Sequence, residues 1–91
     1  MSRDNLWQIC HKNRRGNRLI TQNIVGAVRE RKITSKKIAD DINVSTERVR
    51  NWYYRSTGLT ALDLLMLMGE YDFIEQLVVD IVLEYKIYKE E

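Results

Sequence analysis

The side chains best suited to recognition chemistry lie in ten consecutive residues, TERVRNWYYR at 46–55. At 3.6 residues per turn, Thr46, Glu47, Arg50, Asn51 and Tyr54 fall on one helix face, and Val49 and Trp52 fall on the other. The polar row has the donors and acceptors that read base edges. A guanidinium such as that of Arg50 forks onto guanine, a carboxamide such as that of Asn51 pairs twice with adenine, and the carboxylate of Glu47 accepts from the amino group of cytosine. Thr46, Glu47, Arg50 and Asn51 are therefore the expected base contacts, with Arg48 and Arg55 gripping phosphate on the flanks.

Such a row reads a duplex only if a short helix carries it and a second element holds that helix in place. Ser45 is placed to cap the start of helix 46–55. Before it, KKIADDI at 36–42 has the length of a short helix with Ile38, Ala39 and Ile42 inward, capped by Thr34 or Ser35. Asn43 stands where the chain must turn, and asparagine tolerates the left-handed conformation second only to glycine. Two short helices separated by three or four residues describe a helix-turn-helix.

The stretch 35–54 (SKKIADDINVSTERVRNWYY) resembles the helix-turn-helix of the phage lambda repressor and Cro-like family. The resemblance lies in Ile38 and the small Ala39 of the first helix, the Val44–Ser45 junction, and Val49 and Trp52 inside the second. Asn43 takes the place of the usual glycine. Residues 59–74 also look like the helix that follows the motif in phage repressors, with phage cII-type activators the nearest variant, so the resemblance covers about 40 of 91 residues. It implies a double-stranded DNA partner and places Ser35, Lys36 and Lys37 at the family's phosphate contacts, beside a helix N-terminus that favours anions.

The remaining elements complete an all-α domain of about five helices spanning 1–91. Leu6, Ile9 and Cys10 recur at helical spacing in 4–13, with Trp7 beside them and Asp4 as cap. KNRRGNR at 12–18 reads as a basic loop, because Gly16 and two asparagines are turn residues. Ile20, Ile24, Ala27 and Val28 predict an amphipathic helix over 18–31, with Asn23, Arg29 and Glu30 outward. Thr60 caps a strongly apolar helix ending near Gly69, whose Leu62, Leu65, Met66 and Met68 are expected to be largely buried. Over 72–89 a helix puts Ile74, Leu77, Val78, Ile81, Val82 and Tyr85 on one face, while a strand alternates Leu77, Val79, Ile81, Leu83, Tyr85 and Ile87 with polar residues. Helix is preferred, since no turn or second strand offers a pairing partner within the chain.

Composition narrows the function classes. The chain has 91 residues, no proline and a net charge of +2, which describes one small domain of helix-compatible sequence. The average hides an asymmetry: residues 1–55 carry 13 Lys/Arg against 5 Asp/Glu, whereas residues 56–91 carry 2 against 8. One half suits a polyanion and the other avoids it. Cys10 and His11 are each the sole residue of their type, which excludes a disulfide framework and the usual thiolate zinc site; no cofactor is expected. Asp40, Asp41 and the C-terminal acids form no acid–base pair beside a nucleophile motif, so an enzyme is not expected. No apolar run reaches the length of a membrane span and MSRDNLW lacks a signal pattern, so the expected location is cytoplasmic.

Two functions from different classes follow: a sequence-specific DNA-binding transcription regulator of phage or mobile-element type, or a protein-interaction module, of the inhibitor or adaptor kind, that uses its acidic half. Between Phe73 and Tyr88 eleven of sixteen residues are apolar, more than one buried helix face needs. Ile74, Leu77, Val78, Val79, Ile81, Val82 and Leu83 are therefore expected to form a homo-oligomer contact, most simply a two-fold dimer over 72–91. The competing arrangement packs Val79, Leu83 and Ile87 on the N-terminal segment around Leu6 and Trp7.

Overall fold

The computed structural model describes Trp7 and residues 16–90. Among these, the regular elements are five helices: α1 (Gly16–Glu30), α2 (Ser35–Ile42), α3 (Thr46–Arg55), α4 (Ala61–Glu70) and α5 (Asp72–Glu90). The segment 72–89 is helical rather than extended, as the lack of a pairing strand requires. The expected helix at 4–13 lies outside the described residues except for Trp7, as do Cys10 and His11.

Local chemistry sets the helix ends. Thr34, not Ser35, caps α2, its hydroxyl accepting from Lys37 N at 3.1 Å. Asn43 closes α2 at φ 57° and ψ 51°, and Val44 N donates to Ala39 O at 3.1 Å, so the left-handed residue turns the chain directly into α3. Ser45 caps α3 by accepting from Arg48 N at 3.2 Å. Lys32 at φ 58° ends α1 in the same left-handed manner. One expectation about α1 is corrected: it begins at Gly16, inside the stretch read as a basic loop, and Thr21 Oγ1 donates to Asn17 O at 2.7 Å within that first turn.

The core is built by Ile24 and Val28 of α1, Ile38, Ala39 and Ile42 of α2, Val49, Trp52 and Tyr53 of α3, Leu67 of α4 and Ile74 of α5. α2 packs principally on α3, so the pair shares one apolar seam and its relative orientation is fixed by Ile38, Ala39, Val49 and Trp52. Tyr53 adds a hydrogen bond from its hydroxyl to Ile33 O at 2.8 Å, tying α3 to the turn after α1.

The apolar character of α4 misleads. Leu62 and Leu65 are 59% and 63% exposed, Met66 and Met68 are half-buried, and the fully buried residues are Leu67 and Asp63. The expectation of a largely buried helix is therefore wrong. α4 meets α2 and α5, and Leu62 and Leu65 face away from the core.

α5 lays Ile74, Leu77, Val78 and Ile81 on the domain. Ile74 is fully buried and Ile81 nearly so, which removes both from the expected oligomer contact: they serve the chain's own core. Val79, Val82, Leu83 and Ile87 face outward at 43%, 44%, 49% and 56% exposure. Trp7 sits near the inner side, donating Nε1–H to Ile81 O at 2.8 Å and meeting Tyr85 edge-on at 4.8 Å. The rest of the segment that the competing arrangement packs against Val79, Leu83 and Ile87, Leu6 included, lies outside the described residues. No helix among the described residues is long and apolar enough to cross a membrane.

Candidate nucleic-acid interface

The outward side of α3 is free along its length. Thr46, Glu47, Arg50, Asn51, Tyr54 and Arg55 are all exposed and line one open concavity. The helix presents them because Val49, Trp52 and Tyr53 are pulled into the core, which fixes its rotation about its own axis. All four expected base readers thus share one surface, with Arg55 at its end.

Aromatic and cationic groups meet at the C-terminal end of that surface. The Arg29 guanidinium lies 4.8 Å from the Tyr53 ring and 5.3 Å from the Tyr54 ring, and its Nη2 donates to Tyr53 O at 2.9 Å. The Arg50 guanidinium lies 6.0 Å from the Tyr54 ring. The exposed Tyr54 ring thus has two guanidinium groups near it, each attracted to its π-system. Arg29 was read only as an outward residue of α1; its reach across 24 positions has no local signal in the sequence.

The expected phosphate contacts divide. Lys36 and Lys37 are exposed on the first turn of α2. Lys37 Nζ is paired with Asp41 Oδ1 at 3.0 Å, and the Tyr71 hydroxyl donates to the other oxygen of Asp41. That hydrogen bond from Tyr71, then the one from Lys37, holds the Asp41 carboxyl below its ordinary pKa, while burial and the Asp41 charge raise Tyr71 above its own. Ser35 is buried, because Thr34 takes the cap and rotates Ser35 inward; it is withdrawn as a phosphate contact.

Arg48 has a partner that hydropathy concealed. Its Nη2 lies 2.8 Å from Asp63 Oδ1, a close ion pair in which the carboxylate is fully buried and the arginine side chain 40% exposed. Asp63 also completes a capping box, accepting from Thr60 N at 3.3 Å while Thr60 Oγ1 accepts from Asp63 N at 3.1 Å. The T-x-x-D spacing at 60–63 was the available signal for this role. Arg48, expected at a phosphate on the flank, is thus tethered at Nη2 to α4 through Asp63.

No group of His, Cys, Asp and Glu among the described residues could hold a metal ion. Comparison with family models, curated proteins and solved structures finds no match to this chain.

Proposed function

We propose that this chain is a sequence-specific double-stranded DNA-binding protein that regulates transcription, reading the major groove with α3. One observation carries the reading: the outward face of α3 gathers Thr46, Glu47, Arg50 and Asn51, all exposed, on a helix whose other face is locked into the core against α2. An α-helix of ordinary width fits the major groove, and residues near its N-terminus reach base edges there. Lys36 and Lys37 are exposed on the first turn of α2, and the acidic surplus lies in the other half of the sequence. The resemblance of 35–54 to phage repressors points the same way.

The outer face of α5 fits the same proposal. Val79, Val82 and Leu83, extended by Ile87, remain exposed after the chain has filled its own core, and a two-fold dimer covers such a patch with a copy of itself while offering two reading helices. Sedimentation showing only the 10.9 kDa species at tens of micromolar would remove the dimer.

The function is tested by selecting bound duplexes from a random library and measuring affinity against salt. Release of condensed counterions makes log affinity fall linearly with log salt, so several phosphate contacts predict at least a hundredfold loss, as an order of magnitude, between low and physiological salt. Binding that ignores salt, with no enriched sequence, contradicts the proposal. In that case the exposed Leu62 and Leu65 of α4 favour the second reading, a protein-interaction module.

A further inference from the structure

The fully buried charged residue Asp63 calls for an explanation beyond capping, since its part in the capping box, one oxygen accepting from Thr60 N, needs no charge and a neutral carboxamide oxygen could supply it. Its distinctive contact is with Arg48 on the first turn of α3, beside Glu47 of the reading face. The Asp63 carboxylate at 2.8 Å and Thr60 Oγ1 at 3.5 Å both engage Nη2 of the guanidinium. The N–H groups on Nε and Nη1 make no hydrogen bond among the described residues, and the side chain is 40% exposed. A guanidinium is a rigid fork with five donors, so fixing one nitrogen orients the rest.

We infer that Asp63 is a positioning residue for a phosphate contact: it ties one edge of Arg48 to the domain and so presents the other edge to a phosphodiester oxygen of bound duplex. The inference rests on the duplex reading of α3. A free arginine surrenders its rotamer freedom when it binds, whereas one already held by a buried partner has less to lose, so affinity gains without a new contact. The arrangement also makes a prediction opposite in sign to simple charge. Removing the Asp63 carboxylate makes the protein one unit more positive, which by itself strengthens attraction to a polyanion. Positioning requires binding to weaken.

The test uses the full chain, a selected duplex and a random-sequence duplex, each titrated across a salt series. Asp63→Asn is expected to weaken both complexes by about three- to tenfold, and Arg48→Ala to lower the slope of log affinity against log salt by about 1. Asp63→Asn/Arg48→Ala should bind no more weakly than Arg48→Ala, because the carboxylate acts only through the arginine. Should Asp63→Asn lose helicity by circular dichroism, Arg48→Lys decides: one ammonium cannot face Asp63 and a phosphate in the same way, so its binding should weaken as well.

Unchanged or tighter binding by folded Asp63→Asn, an unchanged slope for Arg48→Ala, or full affinity in Arg48→Lys overturns the inference while leaving the duplex reading intact. Inorganic phosphate that, at constant ionic strength, erases the difference between wild type and Arg48→Ala assigns the site to the free anion instead. A wild-type chain that binds no duplex overturns both.

Discussion

α3 and α4 are each ten residues long and each begins after a hydroxyl cap, yet only α4 buries a charged side chain. α3 hides Val49, Trp52 and Tyr53 and exposes its polar residues. α4 hides Asp63 beside Leu67 and exposes Leu62 and Leu65. Each also holds a buried polar atom without a hydrogen-bond partner among the described residues, Trp52 Nε1 on α3 and Asp63 Oδ1 on α4, but Asp63 Oδ1 has the Arg48 guanidinium at 2.8 Å as a charge partner and its other oxygen accepts from Thr60 N. Burial on α3 follows hydropathy and leaves one donor unpaired. On α4, Leu67 follows hydropathy, with Leu64, Met66 and Met68 packed beside it, but Asp63 is buried by a specific set of polar contacts while Leu62 and Leu65 stay exposed.

Substitutions in the two helices should separate these rules. Trp52→Ala empties the centre of the core and should cost about 3–5 kcal/mol in urea or thermal unfolding. Trp52→Phe should cost well under half as much, since it also removes the unpaired indole N–H, whose burial is unfavourable by about 1–3 kcal/mol. A Phe variant as damaging as Ala would mean that the indole makes contacts beyond packing. On α4, Asp63→Ala should cost about 2–3 kcal/mol through loss of the cap and the ion pair, an effect that hydropathy gives the wrong sign. Leu65→Glu, a drastic change by composition, should stay within about 0.5 kcal/mol. A large loss at Leu65 would show that a partner or second copy covers this face.

The smallest expected effect concerns pH. Tyr71 joins the α4–α5 junction to α2 through Asp41, whose pKa is lowered in the fold chiefly by that hydrogen bond. A carboxyl with a lowered folded-state pKa contributes stability above its unfolded value, and that contribution is lost as pH falls through the folded value. The urea midpoint of the wild type should therefore decline in acid below the ordinary aspartate range, and Tyr71→Phe should flatten part of that decline. Parallel acid profiles for the two proteins would place the titration elsewhere.

The sequence carried the α2–α3 unit well because its signals are local. A left-handed asparagine, a serine cap and apolar residues at helical spacing each act within a turn of themselves. The order of the five helices is readable for the same reason, whereas 72–89, whose local pattern fits a strand as well, is settled as helix by the lack of a pairing strand. α4 was misread because a run of leucines and methionines states what a helix could bury and not what the rest of the fold has room for. With Ile74 and Leu67 filling that side of the core, Leu62 and Leu65 had no interior left. Asp63, Arg29 and Tyr71 act through partners 15, 24 and 30 positions away, separations that no periodicity reveals. Within the interface, the reading row is visible as a face of polar residues, while the burial of Ser35 and the ion pair of Arg48 are not, because a cap one residue earlier, or one distant carboxylate, decides what each side chain touches.

The central claim is that the outward row of α3 reads bases. It is tested most directly by measuring the affinity of wild type and Asn51→Ala for the selected duplex and for a random duplex at one fixed salt concentration. The account predicts that Asn51→Ala loses about 1–3 kcal/mol on the selected duplex and almost nothing on the random one, so that discrimination between them collapses. Equal losses on both duplexes, or no loss on either, would contradict it.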